Sequence, residues 1–162
     1  MKKQLKSFKS AFCGIARAVC TEAHLRFHIV AALYVLVFSA FYSFTAAQTA
    51  VLIVLIALII AAELVNTAIE NVCDLVTKEQ NPYIKNAKDM AAGAVLALSV
   101  GAAVIACVFF LDFGVIAKIF TFFSERPLLL VLLLASAVAS VAFVKLGPYG
   151  IRDKLFRKRN KR

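Results

Sequence analysis

The sequence predicts an all-α integral membrane protein, with an N-terminal surface amphipathic helix, a three-span core and an additional fourth transmembrane helix. Three observations carry this reading. The 162 residues are 62% hydrophobic with a mean hydropathy of +0.86. Only 17% are charged, which leaves too little polar surface to cover a soluble core of this size. Several apolar runs are long enough to cross a bilayer, and the last half of one carries a stripe of acids. The net charge of +10 then points to anionic lipid headgroups and membrane orientation ahead of nucleic acid. No RNA- or DNA-binding signature accompanies it.

Residues 5–21 read as a helix lying on the membrane surface. Leu5, Phe8, Phe12, Ile15 and Val19 share one face, and Lys6, Lys9, Ser10, Cys13 and Arg17 the other. This basic leader lacks a small-x-small cleavage site and is not expected to be a cleaved signal. Gly14 marks a close approach or a bend. Glu22 falls just before the bilayer, and His24 and His28 read as interfacial histidines rather than a metal pair. Residues 29–44 form the first span, long enough if Arg26 and His28 snorkel. A turn at 43–49 leads to the second span, 50–74.

Residues 75–88 form a polar connection containing Lys78, Glu79, Asn81-Pro82, Lys85 and Lys88, through which Pro82 forbids a continuous helix. The third span begins near Ala87 and ends near Leu111; Gly93, Ala97 and Gly101 make a small-residue stripe on which another helix can pack. Residues 112–125 are too short to span and read as interfacial. The fourth span, 127–146, starts at Pro127 and is ended by Gly147-Pro148. Residues 1–112 thus form one unit and 113–162 an extra segment. The fourth helix, which carries no intramembrane acid, is expected around the rim of the core without a catalytic role. The basic tail lies along headgroups or stays disordered. Cys13, Cys20, Cys73 and Cys107 make no Cys-x-x-Cys pair and read as free thiols.

The chemistry is concentrated in the second span. At 100° per residue, Glu63, Asn66, Thr67, Glu70 and Asp74 fall within about 60° of one direction. Ionisable groups at membrane depth are costly enough that they face the protein interior and do work. Counted from the far end of the span, Glu63 lies about 20 Å along the helix and Glu70 about 30 Å, so Glu70 reaches the interface while Glu63 remains in hydrocarbon. Of the 19 lysines and arginines, only Lys118 and Arg126 fall on the opposite side from the N-terminus, the 75–88 connection and the tail. The positive-inside rule puts Glu22, Glu70, Asp74, Lys88, Asp89 and both termini at the cytoplasmic face.

A carboxylate cluster beside a lysine at that face suits magnesium-nucleotide. Magnesium takes one or two carboxylates and completes its shell with substrate phosphates. Glu22 and Glu70 can supply them, Lys88 can neutralise a transferring phosphoryl group, and the deeper Glu63 suits proton abstraction from a buried hydroxyl. There is no Walker A loop and no kinase glycine-rich loop.

Glu63-Leu-Val-Asn66-Thr-Ala-Ile-Glu70-Asn-Val-Cys-Asp74, followed by Ala87-Lys88-Asp89-Met-Ala-Ala-Gly93-Ala, resembles the signature of the small prokaryotic diacylglycerol kinases, which include Gram-positive undecaprenol kinases. Phe8-x-x-Ala11-x-x-Gly14 and Glu22-x-x-x-Arg26-x-His28 extend the match, which covers roughly residues 5–111. The resemblance implies Glu63 as general base with Asn66 supporting it, and Glu22 and Glu70 as metal ligands. It also implies Glu79, Lys88 and Asp89 as nucleotide contacts, together with Mg2+, ATP and a homotrimer sharing active sites. Where relatives often carry a histidine in the cytoplasmic loop, this chain has Asn81, and residues 112–162 exceed the usual three-span length. The alternative classes are a small multidrug-type transporter using Glu63 as a coupling acid, and a membrane scaffold. The first needs one isolated acid rather than a stripe beside Lys88-Asp89, and the second leaves the cost of burying Glu63 unexplained.

Overall fold

The computed structural model describes residues 2–77 and 79–159, with side chains placed for 3–77 and 79–152. The described residues form six helices. Helix α1, Lys2–Thr21, and α2, Ala23–Ser39, meet at a 101° bend. Glu22 is the bend itself, in extended conformation at φ −97°, ψ 116°. The apolar side chains of α1, Leu5, Phe8, Phe12 and Ile15, are exposed on this chain, as a helix lying in a headgroup layer requires. Helix α2 begins earlier than the sequence predicts and ends earlier too, because residues 40–44 turn away through Tyr42 and Phe44.

Helix α3, Ala46–Val76, starts on a capping box. Gln48 N–H donates to Thr45 Oγ1 at 3.2 Å and Thr45 N–H to Gln48 Oε1 at 2.9 Å, satisfying two amides that a helix start leaves orphaned. Its 31 residues reach about 46 Å, longer than a hydrocarbon core of about 30 Å, so one end emerges. Helix α4, Pro82–Phe110, has Pro82 in its first turn and Asn81 as its cap, whose Oδ1 accepts from Tyr83 N–H at 2.9 Å. The predicted polar connection is therefore shorter, 77–81, and Lys85, Lys88 and Asp89 sit on the first turns of α4.

Helix α5, Phe113–Ser124, is capped by Asp112 and has 12 residues, too few to span. Helix α6, Pro127–Arg159, is broken at Gly147, non-helical at φ 63° and ψ 175°, where the sequence expects the fourth span to end; a second helical stretch continues the chain beyond the break. Basic side chains beyond Arg152, which the orientation argument uses, lie outside the described residues.

Helices α3, α4 and α6 are each long and apolar enough to cross a membrane, and the bent α1–α2 pair supplies a fourth crossing. Contacts join α4 to α3, α3 to α2 and α2 to α6, while α5 lies against α6 and α1 touches α2, α3 and α6. The spans thus stand as a row, α4–α3–α2–α6. Few side chains are buried, and Arg26, Glu63 and Thr67 are among them. This inversion belongs to lipid: apolar side chains face outward, and the ionisable ones find partners inside. The small-residue stripe of α4 is open: among the described residues, nothing beyond the local helix backbone lies within 4 Å of where a side chain would begin at Gly93 or Gly101.

Candidate active site

The site is built where α2 and α3 cross beside the α1–α2 bend. Glu63 is 4% exposed, and His28 Nε2 approaches its Oε1 at 3.2 Å. A carboxylate so far from water needs a polar partner, and α2 places the His28 imidazole within ion-pair distance of it. His28 therefore does not snorkel to the interface as the sequence suggested; it turns inward to the acid. Arg26 does not snorkel either. It is 4% exposed, and its guanidinium donates to backbone carbonyls, Nη1 to Val19 at 3.0 Å and Cys20 at 3.1 Å, Nε and Nη2 to Val144 at 3.1 and 3.0 Å. His24 is exposed, and no group of three or more His, Cys, Asp or Glu converges among the described residues.

One turn along α3, Asn66 Nδ2 donates to Glu70 Oε1 at 3.1 Å. Asn66 thus holds Glu70, because i, i+4 side chains on a helix meet. Its Oδ1 is buried without a partner. Beyond it, Lys88 Nζ pairs with Asp74 across the α3–α4 contact. Asp89 and Glu79 are exposed, and the Glu79 amide donates to Thr77 Oγ1 at 3.0 Å.

Glu22 lines a cleft of about 410 Å³ whose other wall is α3, through Leu64, Thr67 and Asn71. Glu70 is not among its lining residues, and no hydrogen bond or ion pair joins Glu22 to Glu70 among the described residues. The donor set fits magnesium nonetheless. The carboxylates and the unpartnered Asn66 Oδ1 are hard oxygens, and magnesium is held by one or two carboxylates plus phosphate oxygens rather than by an all-protein cage.

The residues missed by sequence reasoning are His28 as partner of Glu63, Arg26 as an internal bridge, and Asn71 as a cleft wall. The signal for the first was available: two ionisable groups at membrane depth each need a partner.

Residues 9–110 match the family described as prokaryotic diacylglycerol kinase. An undecaprenol kinase of Bacillus subtilis is 36% identical over 111 residues, 68% of this chain and 90% of that protein. A diacylglycerol kinase of Synechocystis sp. is 35% identical over 102 residues, 62% of this chain and 58% of that protein, so the chain spans little more than half of it. The matched segment contains the bend, the acid-bearing helix and the Lys88-Asp89 helix start. This chain belongs to the prokaryotic diacylglycerol kinase family and is a membrane-embedded lipid kinase.

Proposed function

We propose that this protein transfers the γ-phosphoryl group of ATP to the primary hydroxyl of undecaprenol at the cytoplasmic face of the inner membrane, with diacylglycerol as the second acceptor. The observation that carries the chemistry is the buried Glu63 with His28 on one carboxylate oxygen. With the His28 imidazole set 3.2 Å from Oε1, Oε2 is the oxygen left to accept the lipid hydroxyl proton. As that proton moves to Glu63, the hydroxyl oxygen bonds to the γ-phosphorus and the bond to the β,γ-bridging oxygen breaks, releasing ADP. Such transfer is governed by positioning and charge neutralisation.

Glu22 and Glu70 are the residues that would hold magnesium, which when bound supplies neutralisation of phosphate charge. Asn66 keeps the Glu70 carboxylate from rotating away. Lys88 has three N–H donors and spends one on Asp74, which leaves two for phosphate oxygens. Asp89 and the exposed Glu79 stand on the nucleotide side. The kinase core is 1–112, with 113–162 an added segment. The open Gly93–Gly101 face of α4 suits the neighbouring subunit of a homotrimer, and the basic termini suit anionic headgroups.

The lean to undecaprenol rests on the greater coverage of the undecaprenol kinase relative. A side-by-side assay with both lipids in mixed micelles tests it. Faster phosphorylation of undecaprenol at equal mole fraction is expected; equal or faster turnover of diacylglycerol reverses the order.

A further inference from the structure

Outside the family match lies α6, and its break meets the catalytic half of the molecule at one side chain. Pro148 has no N–H, so the carbonyl four residues before it, Val144, loses its helical partner. The same break puts Gly147 at φ 63°, a conformation that glycine adopts without strain. Arg26 fills the vacancy with two donors to the Val144 carbonyl. Its Nη1 closes the end of α1 by donating to the carbonyls of Val19 and Cys20, which the extended Glu22 leaves without amide partners. The fit is close: a side chain at Gly147 would begin 3.0 Å from Arg26 Nη1 and 3.3 Å from the Cys20 carbonyl.

We propose that the Gly147-Pro148 break of α6 is a positioning device for the kinase site: through Arg26 it fixes the 101° bend between α1 and α2, and with it Glu22, the residue at the bend. Arg26 and Val144 are positioning residues, for neither is argued to touch substrate. The sequence alone gives α6 only a packing role; this bridge gives it a second one. A separate polar contact, Tyr34 OH to Ser136 Oγ at 2.8 Å, holds α6 to α2 away from the bend and serves as the control. The inference rests on the proposed role of Glu22 as a magnesium ligand.

Four full-length variants test it. Pro148→Ala restores the amide that competes for Val144, Gly147→Ala forces a side chain against Arg26, Arg26→Lys removes the fork, and Tyr34→Phe loosens α6 elsewhere. Hydrogen–deuterium exchange of metal-free protein reads the bend itself. Exchange across residues 19–26 should quicken about tenfold in the first three and not in Tyr34→Phe. The magnesium concentration for half-maximal activity should rise about tenfold in the same three, the range for losing a group that orients a metal ligand, with KM for the lipid unchanged. Unchanged exchange at the bend in both Pro148→Ala and Gly147→Ala overturns the bridge. Quickened exchange with an unchanged magnesium requirement overturns its positioning role. Glu22→Gln distinguishes the underlying reading: if it leaves the magnesium requirement at the wild-type value, the metal role of Glu22 fails whatever the bend does.

Discussion

Replacing His28 with alanine strips Glu63 of the imidazole beside it. Their side chains are 17% and 5% exposed, so solvent screens the contact little and water does not readily take the place of the imidazole. Leaving a buried acceptor without its polar partner costs about 1–3 kcal/mol. Taking about 2 kcal/mol as the part felt in the transition state, kcat should fall about thirtyfold. KM for ATP should hold, because His28 pairs with Glu63 and makes no ion pair with Glu70 or Asp74 among the described residues. His28→Gln places an amide N–H near the same position and should recover activity to within about fivefold of wild type. Initial rates at saturating lipid, with ATP varied, separate kcat from KM. Wild-type kcat in His28→Ala, or a loss confined to KM, would refute the claim that His28 orients the base.

The remaining expectations follow from the same geometry. Glu63→Gln keeps size and hydrogen bonding but cannot take the hydroxyl proton, so turnover should drop at least about a hundredfold while equilibrium binding of a fluorescent nucleotide survives; near wild-type turnover removes Glu63 as the base. Glu22→Ala and Glu70→Ala should each raise the magnesium requirement, Glu70 more severely because Asn66 pre-orients it; titrations that overlay the wild type remove both from the metal. A reporter fused after Arg162 should signal from the cytoplasm, since the basic residues of 145–162 outnumber Lys118 and Arg126 on the other side; an external signal contradicts the four-span topology.

Much of the fold was legible because hydropathy and capping are local. Apolar runs of spanning length, Pro127 at a helix start and the two-faced pattern of residues 5–21 each specify an element without reference to any other. The acid stripe was legible for the same reason, since the helical repeat alone aligns Glu63, Thr67 and Glu70. What the sequence could not give is which helix stands beside which. Arg26 and His28 were assigned to the interface because snorkelling is the local solution for a long or polar side chain near a membrane boundary. The solutions in the fold are non-local: Arg26 reaches a carbonyl 118 residues away, and His28 reaches an acid on another helix. Gly147-Pro148 was legible as a break, because a glycine at positive φ and a proline without an N–H interrupt helical hydrogen bonding locally. The helical stretch beyond it, and the side chain that satisfies the freed carbonyl, were not legible. Asn66 illustrates a narrower limit. The stripe offers it both Glu63 and Glu70 as neighbours, and only the rotamer decides between them.

The most direct measurement is transfer of label from γ-phosphate-labelled ATP to lipid by the purified protein in vesicles containing undecaprenol or diacylglycerol, with magnesium, alongside Glu63→Gln. The expected result is labelled lipid phosphate in the organic extract with wild type and about a hundredfold less with Glu63→Gln. Folded wild-type protein that labels neither lipid, or Glu63→Gln that labels as fast as wild type, would contradict a phosphoryl transfer run by the buried acid of α3.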